Sequence, residues 1–208
     1  MTQIRVVTFD CDGVLFDTEK ANRMYYDDLL AHLGRPPMTD EQFAYAQMHT
    51  VEEVMKMLFP DPKGRADAEK YRKSNGYTPY IRYMEMAPGL KDVLGRLRKN
   101  LSTAIATNRT DTMSRVLAIH GLEPYFDFVV TALDVESPKP APDPLFRVME
   151  HFSIRPGEMI YVGDSSLDEQ AAKASGVRFV AFCNPDLDAD FHVDSMAGLE
   201  KLVSGLGN

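Results

Sequence analysis

Asp10 and Asp12 stand two residues apart where the apolar run Ile4 to Phe9 ends, in the segment Asp10-Cys11-Asp12-Gly13-Val14-Leu15. On an extended chain, alternation sends positions i and i+2 to the same side. Both carboxylates can therefore face one pocket while Cys11 turns away, and Gly13 lets the backbone bend sharply. Two acids so placed can share a divalent cation and divide nucleophilic attack and proton transfer between them. The same six residues also fit an Asx-rich turn with its acids in solvent, and acid-x-acid-Gly resembles part of a calcium loop.

The elements that must position these acids are legible from periodicity. Beyond the first strand, Asp17 to Leu33 carries Ala21, Met24, Tyr25, Leu29, Leu30 and Leu33 at helical spacing, stopped by Gly34 with Pro36 and Pro37 beyond. Thr39-Asp40-Glu41-Gln42 reads as a capping box opening a second helix. Val51 to Phe59, Arg65 to Lys73 and Pro79 to Met84 supply three more. The pattern changes at Ala87-Pro88-Gly89, after which strands alternate with helices. Helices are expected over Leu90 to Leu97, Thr112 to His120, Asp143 to His151, Ser166 to Ser175 and Met196 to Val203. Strands are expected over Leu101 to Ala106, Phe126 to Thr131, Met159 to Val162 and Val177 to Phe182. Such alternation builds a parallel sheet covered by helices on both faces. The expectation is an α/β protein, a Rossmann-like parallel sheet core over 1–16 and 88–208, with an inserted all-helical cap domain over 17–87.

In open parallel sheets, ligands bind beyond the carboxyl ends of the strands. Asp10 and Asp12 follow the first strand, and Thr107-Asn108-Arg109 follow the strand ending at Ala106. Ser137-Pro138-Lys139-Pro140 precedes the helix at Asp143, and Gly163-Asp164-Ser165-Ser166-Leu167-Asp168 follows the strand ending at Val162. Acids, a hydroxyl with an amide, and a lysine would thus converge. Taken singly, Thr107 or Asn108 also suits a helix cap, Lys139 a solvated loop, and Asp164 with Asp168 a helix N-terminus.

With these segments in order, the chain resembles the haloacid dehalogenase superfamily, in its aspartate-nucleophile phosphatase branch with a helical cap, where phosphoglycolate phosphatases and β-phosphoglucomutases belong. The resemblance spans essentially the whole chain. It implies that Asp10 attacks phosphorus and becomes an aspartyl phosphate, while Asp12 protonates the leaving alcohol and then activates water. It implies Mg2+ held by the Asp10 carboxylate, the Asp12 backbone carbonyl and Asp164, with Asp168 direct or through water. Thr107 and Asn108 would donate to phosphoryl oxygens and Lys139 would add positive charge.

The departures narrow this. A dehalogenase of the superfamily is not expected to carry the second acid, which here is Asp12, so phosphate ester chemistry is favoured. Sugar-phosphate mutases of the branch resemble Asp-Thr-Ala/Glu-x-x-His at this point, whereas Asp17-Thr18-Glu19-Lys20-Ala21 is followed by Asn22. Substrate choice is expected from the cap, where His49, with Arg72 or Lys73, is a candidate contact, and Arg109 could touch substrate or pair with an acid. The expectation is a Mg2+-dependent phosphatase of a small phosphorylated metabolite such as phosphoglycolate or a sugar phosphate. A sugar-phosphate mutase and a non-catalytic phospho-ligand-binding regulator are the alternatives.

Composition agrees with a metabolite enzyme. A net charge of −8 argues against an extended nucleic-acid footprint or an anionic membrane surface. Two cysteines, Cys11 and Cys183, without Cys-x-x-Cys spacing argue against a disulfide scaffold or structural zinc site and for a reducing, cytoplasmic setting. No apolar run approaches the roughly 18 residues of a membrane span, and no signal segment is legible at the N-terminus. A monomer or homodimer is expected.

Overall fold

The computed structural model describes residues 3–48 and 51–206. The chain opens with β1 (Val6–Phe9), buried along its length, and a two-residue strand β2 (Phe16–Asp17). Helices α1 (Glu19–His32), α2 (Asp40–Met48), α3 (Val51–Leu58) and α4 (Pro62–Asn75) follow, then a 3-10 segment over Thr78–Tyr83. The strand β3 (Glu85–Met86) pairs antiparallel with β2. Thereafter come α5 (Leu90–Leu97), β4 (Ser102–Ala106), α6 (Met113–His120), β5 (Phe128–Val130) and α7 (Asp143–Phe152). The chain continues through β6 (Met159–Gly163), α8 (Ser166–Ser175), β7 (Arg178–Phe182), β8 (Phe191–Val193) and α9 (Met196–Leu206).

Two compact units result, Thr18–Met84 and the remainder of the chain. The larger is a six-stranded sheet in the order β5-β4-β1-β6-β7-β8, parallel throughout. Strand order reverses about β1, which creates a switch point at its carboxyl end. Ala104, Ala106, Tyr161 and Ala181 from the sheet pack with Leu145, Val148, Ala171 and Ala172 from α7 and α8 in one buried cluster. The small residues let the helices approach the sheet closely.

The smaller unit has its own core. Tyr25, Tyr26, Leu29 and Leu30 on α1 meet Phe43, Val54, Met55, Leu58 and Ala68. The Thr39 to Gln42 capping box forms in both directions, with the Gln42 amide donating to Thr39 Oγ1 at 3.2 Å and the Thr39 amide to Gln42 Oε1 at 3.0 Å. The helix expected from Arg65 starts earlier because Asp61 accepts from the Gly64 amide at 2.6 Å and Pro62 occupies the first turn. The segment expected as a helix over Pro79 to Met84 winds as a 3-10 segment.

Three short strands were not legible. β2 and β3 have two residues each, and β8 is a three-residue edge strand with polar His192 at its centre, so none displays an apolar run. Among the described residues, no helix is long and apolar enough to cross a membrane.

Candidate active site

The register brings the chemistry together. Phe9 lies opposite both Ile105 of β4 and Val162 of β6, so the three strands end within one residue of one another. Asp10, Thr107 and Asp164 are the residues leaving those ends. The Asp10 amide donates to Val162 O at 2.8 Å, which carries the ladder one residue further and fixes the Asp10 backbone. Gly13 turns the chain with φ +78°, and a Cβ there would lie 1.9 Å from Asp164 Oδ2. Glycine is thus required both by the backbone conformation and by the close approach of Asp164.

Lys139 is delivered from the loop before α7 by Asn108. The Asn108 amide donates to Lys139 O at 2.8 Å and accepts from Lys139 N at 3.0 Å. The side chain expected to meet a phosphoryl oxygen is therefore engaged with the lysine backbone. The Lys139 ammonium, nearly excluded from solvent, donates to Asp168 Oδ1 at 2.6 Å and to Tyr161 Oη at 2.8 Å. It also lies 2.8 Å from Asp10 Oδ1. That last contact is misaligned, leaving Asp10 Oδ1 buried without a hydrogen bond, so the attraction there is electrostatic.

Asp168 has 0 % exposure, and its lone pairs are spent. Oδ1 accepts from Lys139 and from the Tyr161 hydroxyl at 2.6 Å, while Oδ2 accepts from Ser165 N at 3.1 Å and Ser165 Oγ at 2.5 Å. Ser165 is the N-cap of α8, so a capping box doubles as the mount for this acid. Burial would push the Asp168 carboxyl up, but Lys139, Ser165 and Tyr161 outweigh it and hold it below the ordinary value. Burial likewise works against the Lys139 charge, yet Asp10 and Asp168 hold its proton more tightly than usual.

Asp10 and Asp164 go the other way. Burial, only partly opposed by Lys139, pushes the Asp10 carboxyl up to about 7. Burial and then the nearby Asp10 and Asp168 charges push Asp164 up to about 8. Oxygens of Asp10, Asp164 and Asp168 lie within 4.8 Å of one another. Crowded carboxylates, one with an unbonded buried oxygen, form an all-oxygen donor set that suits a hard divalent cation. Asp10 and Asp164 have oxygens to offer it, whereas those of Asp168 are committed to Lys139, Tyr161 and Ser165. Asn184 holds the Asp164 backbone, its amide donating to Asp164 O at 2.8 Å.

Asp12 is partly exposed and paired. Arg109 Nη2 and Nε donate to Asp12 Oδ1 at 2.6 and 3.1 Å. Of the two alternatives for Arg109, the structure thus shows pairing with an acid. Thr107 is buried, and its hydroxyl accepts from the Arg109 amide at 3.2 Å. Cys11 is buried between the two acids, where burial and then Asp12 raise its thiol well above the usual range. In the smaller unit, Lys73 is mostly exposed and 3.6 Å from Glu69, which also takes the Arg72 guanidinium at 2.7 Å. His49 lies outside the described residues.

Tyr161, Ser165 and Asn184 were not singled out in the sequence. Tyr161 reads as one more apolar-run residue of a buried strand, and Ser165 as a loop residue. The capping spacing Ser165 to Asp168 was a usable signal.

Comparison with known proteins agrees with this geometry. The model of the haloacid dehalogenase-like hydrolase family matches residues 7–182. A phosphoglycolate phosphatase of Nitrosospira multiformis is 30% identical, over 96% of both chains. A protein of Caldanaerobacter subterraneus subsp. tengcongensis named as a pyrophosphatase, PpaX, is 28% identical over 98% of this chain and 96% of its own. The crystal structure of a HAD-superfamily hydrolase, subfamily IA, from Geobacter sulfurreducens superposes with a TM-score of 0.89 at 35% identity, covering 96% of both chains. A family match over most of the chain, on a sheet whose strand ends carry the expected acids and to which the loop before α7 brings the expected lysine, settles the assignment: this protein belongs to the haloacid dehalogenase-like hydrolases.

Proposed function

We propose that the protein is a Mg2+-dependent phosphatase of a small phosphorylated metabolite, such as phosphoglycolate or a sugar phosphate, working through an aspartyl phosphate. The observation that carries this reading is the juxtaposition of Asp10, with one buried oxygen taking no hydrogen bond, and the Lys139 ammonium 2.8 Å away. A carboxylate nucleophile held beside a fixed positive charge suits attack on an anionic phosphoryl group. Asp10 and Asp164, with the Asp12 backbone carbonyl, would hold the cation, and Asp168 would act through Lys139. The bound cation supplies charge neutralisation, ionising its carboxylate ligands and easing the approach of two anions.

The steps then fall to the protein's own groups. An Asp10 oxygen forms a bond to phosphorus as the bond to the leaving alcohol oxygen breaks, and Asp12 gives that oxygen its proton. Asp12, again a carboxylate, takes a proton from water, whose oxygen displaces Asp10 and releases inorganic phosphate. Arg109 orients Asp12 for both transfers, while Lys139 and the Thr107 hydroxyl face the oxygens on which negative charge develops. The Asn22 amide is engaged by Thr18 at 3.2 Å and Tyr77 at 2.6 Å and has no imidazole to carry a proton, which supports hydrolysis over mutase chemistry.

Phosphate release is measured with Mg2+ over a panel of phosphoglycolate, sugar phosphates and pyrophosphate, native chain against Asp10→Asn. Expected is turnover of a phosphate monoester that falls by at least about a thousandfold in the variant. Full activity of Asp10→Asn, or no release from any compound by the native chain, overturns the reading.

A further inference from the structure

Tyr161 is wholly buried in the middle of the sheet, yet its hydroxyl meets three other segments of the site. It donates toward Asp168 Oδ1 at 2.6 Å and accepts from Lys139 Nζ at 2.8 Å. It also lies 3.1 Å from the carbonyl oxygen of Ala106, the residue before Thr107. The ring packs against Phe179 at 6.2 Å between centroids, and the ammonium lies 5.6 Å from the Tyr161 ring centroid.

An ammonium has three N–H donors. One goes to Asp168 and one to Tyr161, which fixes the rotation of the head group and holds its charge 2.8 Å from Asp10 Oδ1. A flexible four-carbon stem does not by itself hold a point charge to this precision. The geometry points to Tyr161 as a positioning residue: its hydroxyl fixes the Lys139 ammonium against Asp10, where the reacting phosphoryl group must be met. Part of the inference rests on the phosphatase reading, because the consequence of misplacing Lys139 is felt by a reacting phosphate. The hydrogen-bond geometry is independent of it.

The test uses Tyr161→Phe, which removes one oxygen and keeps the ring, in the full chain. Two readouts are needed. The first is the 15Nζ resonance of Lys139 in lysine-labelled protein, assigned by its disappearance in Lys139→Arg. It is expected to be visible and slow to exchange in the native chain and to exchange at least about tenfold faster, or vanish, in Tyr161→Phe. The second is kinetics on whichever monoester the native chain hydrolyses, with kcat expected to fall about 10- to 100-fold while KM stays within about threefold, since a misplaced charge matters most where negative charge develops. Phe179→Leu, which disturbs ring packing but leaves the hydroxyl, should change neither.

Unaltered ammonium exchange in a folded Tyr161→Phe overturns the proposal whatever the kinetics, and faster exchange with unchanged kcat overturns the catalytic consequence. Should Tyr161→Phe fail to fold, the native resonance decides, and a fast-exchanging Lys139 ammonium there refutes the arrangement. If the native chain hydrolyses nothing, the phosphatase reading fails, and the resonance still judges what Tyr161 does to Lys139.

Discussion

Replacing Lys139 by Met keeps the buried stem and removes only the charge. Three partners lose it at once: Asp168 Oδ1 at 2.6 Å, Asp10 Oδ1 at 2.8 Å and Tyr161 Oη at 2.8 Å. Breaking a buried ion pair from one side costs about 3–5 kcal/mol, because the surviving carboxylate stays buried without its counter-charge. Volume is nearly conserved, so no cavity cost is added. With a urea m-value of about 2 kcal/mol/M, the midpoint should fall by about 1.5–2.5 M at pH 8.

The pH dependence sharpens the test. In the native chain Lys139 helps hold Asp168 below the ordinary carboxylate range, so that contribution is present above the unfolded value near about 3.9. In the variant, burial raises Asp10 and Asp168 with no ammonium to oppose it. The folded variant then binds more protons than its unfolded chain over the range between, and its stability falls as pH rises. The gap between native and Lys139→Met should therefore widen from pH 5 to pH 8. Urea unfolding followed by far-ultraviolet circular dichroism in EDTA measures it, since the chain has no Trp for fluorescence. A variant within about 1 kcal/mol of native at pH 8, or a gap that narrows as pH rises, refutes the reading of this cluster as an interdependent charge set.

Two further outcomes follow from the same acids. Asp10 at about 7 and Asp164 at about 8 both lie above their unfolded values, so the metal-free folded chain holds extra protons between about pH 4 and 8 and loses stability as pH rises through that window. Thermal melts in EDTA should show this, and saturating Mg2+ should raise Tm more at pH 8 than at pH 5.5; equal shifts at the two pH values count against Asp10 and Asp164 as the cation ligands. Gly13→Ala places a Cβ 1.9 Å from Asp164 Oδ2 on a backbone with φ +78°. It should cost about 1–2 kcal/mol in backbone strain and weaken Mg2+ binding by calorimetry as Asp164 is displaced, and an unchanged affinity would show that Asp164 is not a ligand.

Several features were legible because their causes are local. The alternation of apolar strands and amphipathic helices after Pro88, the capping box at Thr39, and the pair Asp10 and Asp12 behind an apolar run are written in neighbouring residues. The missed strands β2, β3 and β8 are two or three residues long and exist through pairing with a partner strand. The early start of α4 has a different cause, since Asp61 and Pro62 carry a cap signal that the apolar spacing alone does not display.

For the site, side-chain types and order along the chain determined that acids, a hydroxyl, an amide and a lysine would gather at strand ends. Tertiary structure alone decided which of them touch. The register of β1 with β4 and β6 sets Asp10 beside Thr107 and Asp164. Asn108 spends its amide on the Lys139 backbone. Arg109 pairs with Asp12 across 97 residues, and Asp168 gives its oxygens to Lys139, Tyr161 and Ser165. The physical reason is that hydrogen-bond and charge partners far apart in the chain are chosen by burial and packing. A buried carboxylate takes whatever donors the fold brings within 3 Å, and spacing along the sequence carries no information about them.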